Sequence, residues 1–107
     1  MGGSEFYNIG FGATAEEVFV NLVSQSQYDH GHSGYSGTIA EKRNFTMISL
    51  PENKDPMNFA EGLIREGDDR VNNKWGPVGC ISMPLTDKDL KEYPGLKKFL
   101  FFGWASS

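Results

Sequence analysis

The chain lacks three features that would define its class: a disulfide framework, a long apolar run and a surplus of basic charge. Its single cysteine, Cys80, cannot form an internal disulfide, which favours a reducing cytoplasm. No apolar run approaches the ~20 residues that span a bilayer, and the N-terminal residues lack the pattern of a secretion signal. Fourteen acidic residues against ten basic ones argue against nucleic-acid binding, which normally needs excess Lys and Arg. We therefore expect a cytoplasmic protein whose partner is neither a membrane nor nucleic acid.

Aromatic side chains are abundant. Eight Phe, four Tyr and two Trp make up 13% of the 107 residues, although the hydrophobic fraction as a whole is only 38%. Large rings bury more area per residue than aliphatic side chains, so a few of them can carry a core. A chain of this length is expected to form one domain, which we place over residues 1–107.

The first part of the chain changes from a strand pattern to a helix pattern. Residues 5–11 follow the two-residue hydrophobic period of a strand. Residues 15–27 follow the helical period. Thr14 and Glu17 have the spacing of a capping box, in which each side chain satisfies a free backbone N–H at the start of a helix. The sequence therefore predicts a strand followed closely by an amphipathic helix.

The remainder of the chain supplies further strands and helices. Residues 39–50 are predicted to form a hairpin of two short strands. A helix is predicted over 55–67, because an Asp-Pro pair begins it and a glycine ends it. A strand is expected over 78–85 and a short capped helix over 86–93. Residues 99–105 are apolar throughout, a pattern typical of a central strand that is covered on both faces.

These elements predict an α+β domain, with a mixed, mostly antiparallel sheet of about five strands and two main helices on one face. Such an arrangement leaves the other face of the sheet uncovered, and Phe102 and Trp104 lie opposite Phe99 and Phe101 on the last strand. An uncovered aromatic face is an apolar patch of the kind found at interfaces. We therefore predict self-association into a homo-oligomer, with loops folding over this face as the alternative.

The stretch YDHGHSGYSGTI, from Tyr28 to Ile39, concentrates residues that bind ligands. Asp29, His30 and His32 offer three metal ligands within four residues. Side chains at i and i+2 of an extended chain point to the same side, so the two histidines can share one ion. A catalytic metal needs a third protein ligand beside the two histidines; Glu41, Asp68 or Asp69 could serve, although nothing in their spacing requires it. Two solvent-exposed loop histidines are the commoner outcome, and we predict no metal or other cofactor.

The same stretch has the composition of a cradle for an anion. Glycines at every third position, interleaved with hydroxyl side chains, allow backbone N–H groups to turn inward around a phosphate. A tyrosine here can stack on a base, and the stretch is followed by two basic residues. The segment also follows a helix C-terminus, whose dipole disfavours anions, so a plain glycine-rich loop is the alternative. The predicted ligand-binding residues are His30, His32, Ser33, Gly34, Tyr35, Ser36, Gly37, Thr38, Lys42, Arg43 and Trp75.

The patterns of catalytic sites have weaker support. Cys80 falls within an apolar strand, where a cysteine commonly acts as a small core residue. Asp68 and Asp69 are typical of a solvated loop. No serine has the surroundings of a nucleophile elbow. We therefore predict no catalytic residue.

Three stretches together resemble a known family: YDHGHSGYSGTIAEK, KWGPVGCI and the terminal FFGWAS. In this order, after a glycine-rich strand and a helix that begins with Ala and Glu, they are similar to a family of small uncharacterised proteins. The members occur in tailed bacteriophages and some bacteria. The family has no established activity, so the resemblance carries over no catalytic residue. It implies a small accessory protein that acts in the cytoplasm of an infected bacterial cell.

This context leads to three hypotheses about function. The first is a non-enzymatic host-defence antagonist that sequesters a phosphate-bearing nucleotide signal, using residues 31–38 with Lys42 and Arg43. The second is an acidic protein-binding inhibitor, whose partner is a host defence protein or a nucleic-acid enzyme. The third is a metal-dependent hydrolase that uses His30 and His32. No sequence motif decides among them.

Overall fold

Seven helices and strands make up the described part of the chain. The computed structural model describes residues 3–30, 39, 42–71 and 76–106. In chain order the elements are β1 (Gly3–Gly12), α1 (Ala15–His30), β2 (Phe45–Met47), α2 (Pro56–Glu66), β3 (Val78–Met83), α3 (Asp87–Glu92) and β4 (Lys97–Ser106). The predicted α+β class is confirmed. None of the described helices combines the length and apolar character that crossing a membrane requires.

The strands within these residues form one mixed sheet in the order β1-β4-β3-β2. The last strand, β4, pairs antiparallel with β1 on one side and with β3 on the other, so its predicted central position is confirmed. Short β2 pairs parallel with β3. The sheet therefore has four strands in the described residues, rather than about five.

The hairpin predicted over 39–50 was wrong. Its second strand corresponds to β2, which pairs with β3 in the described part of the chain. Ile39 lies instead in a turn, where its carbonyl accepts the backbone N–H of Lys42 at 3.0 Å. Parallel strands need a long crossover, and the 30 residues between Met47 and Val78 supply one that contains α2. Ala40 and Glu41, which also belonged to the predicted hairpin, lie outside the described residues.

The sheet is covered by helices on both faces, which corrects the prediction of two main helices on one face. On one face, α1 packs against alternate residues of β4, with Val18 and Phe19 beside Phe101. On the other face, α2 contributes Ala60, Leu63 and Ile64 to a second core that includes Phe102. The apolar character of β4 on both faces explains this arrangement, because each face must lose contact with water.

The premise of the predicted self-association was therefore wrong. Phe102 is fully buried beneath α2, and Trp104 is half-buried at the edge of the same core. Neither residue belongs to a bare aromatic face. Self-association itself stays a prediction without that support.

Glycines on β1 allow α1 to approach the sheet closely. A Cβ atom added at Gly10 would lie 2.5 Å from Cγ1 of Val18, and one added at Gly12 would lie 2.7 Å from its Cγ2. Both distances are far below ordinary van der Waals contact. The missing side chains therefore create the space that Val18 fills, and they fix where α1 sits.

Side chains satisfy backbone groups at the ends of α1 and α2, but the capping box predicted from Thr14 and Glu17 is only half formed, because the Glu17 carboxylate bonds the N–H of Ala13 rather than that of Thr14. The hydroxyl of Thr14 accepts the backbone N–H of Glu17 at 3.1 Å, and the Glu17 carboxylate accepts the N–H of Ala13 at 2.9 Å. Asp55 caps α2, and Gly67 ends it in the left-handed conformation with φ of 70°. These caps satisfy N–H and C=O groups that a helix leaves without internal partners.

Candidate functional site

Most of the predicted ligand-binding residues lie outside the described part of the chain. These residues are His32, Ser33, Gly34, Tyr35, Ser36, Gly37, Thr38 and Trp75. His30 is the last residue of α1, three residues beyond the predicted end of that helix. The glycine-rich anion cradle therefore stays a prediction. Lys42 and Arg43 are the predicted site residues whose side chains the structure describes.

Lys42 is buried and engaged by the protein. Only 5% of its surface is exposed, and its Nζ donates a hydrogen bond to the carbonyl oxygen of Gly76 at 3.0 Å. Nearby, the backbone N–H of Val78 donates to the carbonyl of Asn44 at 3.1 Å. These two bonds hold residues 42–44 alongside residues 76–78. Residues 42–44 follow the predicted site residues 30–38 in the chain, and residues 76–78 follow the predicted site residue Trp75. The two stretches that come after these predicted site residues therefore lie side by side.

Arg43 points outward instead and lines a groove between α1 and β2. The groove has a volume of about 240 Å³ and is lined by Glu16, Phe19, Val20, Arg43, Asn44 and Phe45. The Arg43 side chain is exposed, and it forms no ion pair with the residues described. Its guanidinium donors are therefore available to a ligand.

Aromatic rings form the apolar part of this groove. The half-buried ring of Phe45 lies 5.2 Å from the ring of Phe19 and 5.6 Å from that of Phe101, which it meets edge-on. This packing holds Phe45 in place while part of its surface remains accessible. The ring therefore offers a fixed apolar surface in the groove, two residues along the chain from Arg43.

The groove combines three kinds of side-chain group that suit a ligand with an anionic part and an apolar part. The forked guanidinium of Arg43 suits a phosphate or carboxylate, and the ring of Phe45 suits a flat heterocycle. Glu16 and Asn44 offer acceptors for hydroxyl or amino groups. Glu16 also carries negative charge, so an anionic group must bind at the Arg43 side of the groove.

Sequence reasoning identified Arg43 but missed the aromatic part of the groove. The sequence patterns place Phe19 in the helix over 15–27 and Phe45 in the predicted hairpin, but they do not show that the two rings meet beside Arg43. One available signal was the spacing of Arg43 and Phe45, because residues at i and i+2 of an extended chain share a side. The contribution of α1 has no comparable local signal, since it depends on the packing of the helix on the sheet.

Cys80 has the environment of a core residue, as the sequence predicts. It is fully buried on β3 and forms no disulfide. Burial raises the pKa of its thiol to about 12. The thiol is therefore protonated at neutral pH, whereas a nucleophilic cysteine needs a substantial thiolate fraction.

Two aspartates with shifted pKa values serve the local fold. The Arg70 guanidinium holds Asp68 in a two-pronged pair at 2.9 and 3.0 Å, and this contact lowers the pKa of Asp68. Asp89 completes the capping box of α3. The backbone N–H of Thr86 and the ammonium of Lys98 lower its pKa. A lowered pKa keeps both carboxyls ionised, which does not suit a general acid.

The described residues by themselves supply no complete set of metal ligands. Within residues 3–30, 39, 42–71 and 76–106, no three His, Cys, Asp or Glu side chains cluster in a way that would hold a metal ion. The predicted pair of His30 and His32 extends beyond the described side chains. That pair stays a prediction.

Comparison of the chain with protein-family models, with curated proteins and with solved structures found no match in any of the three. Functional inference therefore depends on the chemistry of the groove and of the predicted loop.

Proposed function

We propose that this protein is a non-enzymatic binding protein that captures a phosphate-bearing nucleotide, with Arg43 on the phosphate and Phe45 against the base. The observation that carries the proposal is an exposed arginine without an ion-pair partner in the described chain, beside a half-buried ring in a groove of about 240 Å³. The predicted donors of residues 31–38 would add contacts to the phosphate.

The groove is smaller than a typical ligand pocket of roughly 300–1,000 Å³. In the proposed complex only the base enters it, and the phosphates stay outside, near Arg43. A protein that binds without turnover acts by sequestration. We propose that it lowers the free concentration of a nucleotide signal in a bacterial cell, and so antagonises host defence. The resemblance to small phage accessory proteins motivates this biological setting.

Calorimetry against cyclic dinucleotides and ADP-ribose derivatives tests the proposal. Replacing Arg43 with glutamine removes a charge-assisted hydrogen bond worth about 1.5–3 kcal/mol, so affinity should fall about 10- to 100-fold. Arg65→Gln is the matched control, because Arg65 is also exposed but lies on α2. The proposal fails if no member of the panel binds at 100-fold excess over the protein, or if both variants lose affinity equally.

A second candidate function is supported by the free edge of the sheet. Strand β1 pairs with β4 along ten residues and has no other strand neighbour within the described chain. Glu5 is its single charged residue, and it contains no proline or lysine. Such an edge is a template for pairing with another chain. This feature favours the protein-binding inhibitor, with a host defence protein or a nucleic-acid enzyme as partner.

A pull-down from infected-cell lysate discriminates the two functions. The inhibitor hypothesis expects a stoichiometric host protein, which Ile9→Lys releases because the lysine lies on the free edge strand. Leu90→Lys is the control, since Leu90 is similarly exposed on α3. Recovery of a host protein by Ile9→Lys as efficiently as by the native protein would exclude the β1 edge as its binding site.

A further inference from the structure

A second groove lies on the opposite face of the sheet from Arg43. It has a volume of about 370 Å³ and runs between α2 and the end of the sheet formed by β1 and β4. Its lining residues are Glu5, Tyr7, Glu61, Ile64, Arg65 and Trp104. Glu5 and Trp104 are direct partners across the antiparallel β1–β4 pair. The groove is therefore built on regular strands and a helix.

Aromatic rings and a buried aliphatic residue line this groove. Tyr7 and Trp104 are both half-buried, and both pack against the core beneath α2. Ile64 is buried in that core. The faces of aromatic rings carry negative electrostatic potential, with Trp the strongest, so they attract cations at close range.

Two carboxylates add negative charge beside the rings. The hydroxyl of Tyr7 donates a hydrogen bond to Glu5 Oε2 at 2.7 Å, so its single proton is already engaged by a carboxylate. Burial raises the pKa of Tyr7, and the hydrogen bond to Glu5 and the charges of Glu5 and Glu61 raise it further. The phenol therefore stays neutral, and the field that Tyr7 experiences is predominantly that of carboxylates.

One basic residue, Arg65, also lines the groove, and its charge opposes that of the carboxylates, with a smaller effect on the pKa of Tyr7 than either Glu5 or Glu61 has. Arg65 is exposed, and within the described residues it forms no ion pair with Glu61, one helical turn away. The titratable groups that face Tyr7 and Trp104 are thus two carboxylates and one guanidinium. An anion would meet both carboxylates and a tyrosine whose proton is already donated, so the chemistry of the groove selects against it.

We propose that this groove binds an organic cation, an alkylammonium or guanidinium group, with Tyr7 and Trp104 against the cation and Glu5 and Glu61 as counter-charges. Cation–π contacts and ion pairs account for the selectivity. The inference is independent of the nucleotide proposal, because the two grooves lie on opposite faces of the sheet. If one of the two proposals is contradicted by experiment, the other is unaffected.

The indole N–H resonance of Trp104 in a proton–nitrogen NMR spectrum reports on this groove directly. Comparison with Trp104→Phe distinguishes it from the resonance of Trp75. Titration with tetramethylammonium or guanidinium should shift it with a Kd on the order of millimolar. tert-Butanol, similar in size to tetramethylammonium but uncharged, should leave it nearly unchanged. Equal shifts with tert-butanol would overturn the proposal, since the groove would then be merely apolar.

Carboxylate variants test the charge requirement. Glu61→Gln should weaken binding of tetramethylammonium about two- to fivefold, whereas Glu52→Gln, which removes the same charge from an exposed site outside the groove, should not. Equal weakening in the two variants would overturn the proposal by showing that net charge alone matters.

A third titration identifies the source of the cation. A short peptide that carries one lysine is compared with butylammonium. Tighter binding of the peptide supports the groove as a site for a protein side chain, and equal binding supports a free organic cation. If neither ligand moves the resonance at roughly ten times the expected Kd, the proposal is wrong.

Discussion

Adding one methyl group at Gly10 should destabilise the protein through a single, identifiable contact. A Cβ atom at this position meets Cγ1 of Val18 at 2.5 Å and Cδ1 of Leu22 at 3.4 Å. Val18 is 1% exposed and lies in the core between α1 and the sheet, so it cannot rotate into solvent. Overpacking of this kind costs about 1–3 kcal/mol. We expect Gly10→Ala to lower the free energy of unfolding by about 2 kcal/mol.

The companion substitution Val18→Ala removes the atoms that the new methyl group meets. On its own, this change costs about 2 kcal/mol, from lost burial and the cavity left behind. Independent effects would add to about 4 kcal/mol, but the methyl group of Gly10→Ala partly fills the vacated space. The double variant should therefore lose only about 2 kcal/mol, which corresponds to a coupling energy of about 2 kcal/mol.

Urea unfolding followed by circular dichroism measures these differences if the m-value is unchanged. Gly62→Ala is the control, because a Cβ atom there meets nothing within 4 Å and the residue lies inside α2. Helix propensity should make that variant about 0.5–1 kcal/mol more stable. The packing of α1 on β1 would be refuted if Gly10→Ala retained native stability, or if the two losses at Gly10 and Val18 simply added.

Two further predictions concern titratable groups. Because burial raises the pKa of Cys80 to about 12, its thiol should react with a disulfide reagent only at the rate of unfolding; rapid reaction of the native protein would contradict its placement in the core. The pKa of Asp89 is lowered from its ordinary value of 3.8, mainly by the backbone N–H of Thr86 and next by Lys98. The ionised carboxylate therefore stabilises the folded state at pH values above 3.8. This stabilisation is lost as the pH falls through the lower pKa that Asp89 has in the folded state. Urea unfolding of Asp89→Asn should therefore show a shallower loss of stability in acid than the native protein, and identical acid profiles would exclude this linkage.

The parts of the fold that local patterns specify were predictable from the sequence. The spacing of Thr14 and Glu17 located the start of α1, and the Asp-Pro pair with Gly67 located both ends of α2. The apolar run of β4 predicted its central position, because both of its faces needed cover. In each case the signal lies within a few residues and reflects backbone hydrogen bonding or burial.

Long-range pairing was harder to predict. The local alternation of apolar residues over 39–50 fits a hairpin as well as it fits a single strand, β2, that pairs with β3. Which of these two pairings forms depends on the crossover through α2, which lies outside this stretch. The distribution of helices over two faces depends on the same choice. Once α2 follows β2 and precedes β3, α1 and α2 divide the two faces of β4 between them.

The site was only partly predictable for the same reason. Arg43 was identified by its charge, whereas the rings of Phe19 and Phe45 that accompany it come from elements that meet only in the fold. Lys42 carries the same charge as Arg43, yet its Nζ binds the carbonyl of Gly76. Charge in the sequence does not reveal which of two adjacent basic residues points outward.

Mass spectrometry of small molecules released by denaturing the protein, purified from the cells that naturally produce it, tests the central claim most directly. We predict a phosphate-bearing nucleotide at about one molecule per chain, and a marked loss of that molecule in Arg43→Gln. A native preparation that releases no nucleotide beyond the level in a control protein would contradict the proposal that this protein sequesters a nucleotide.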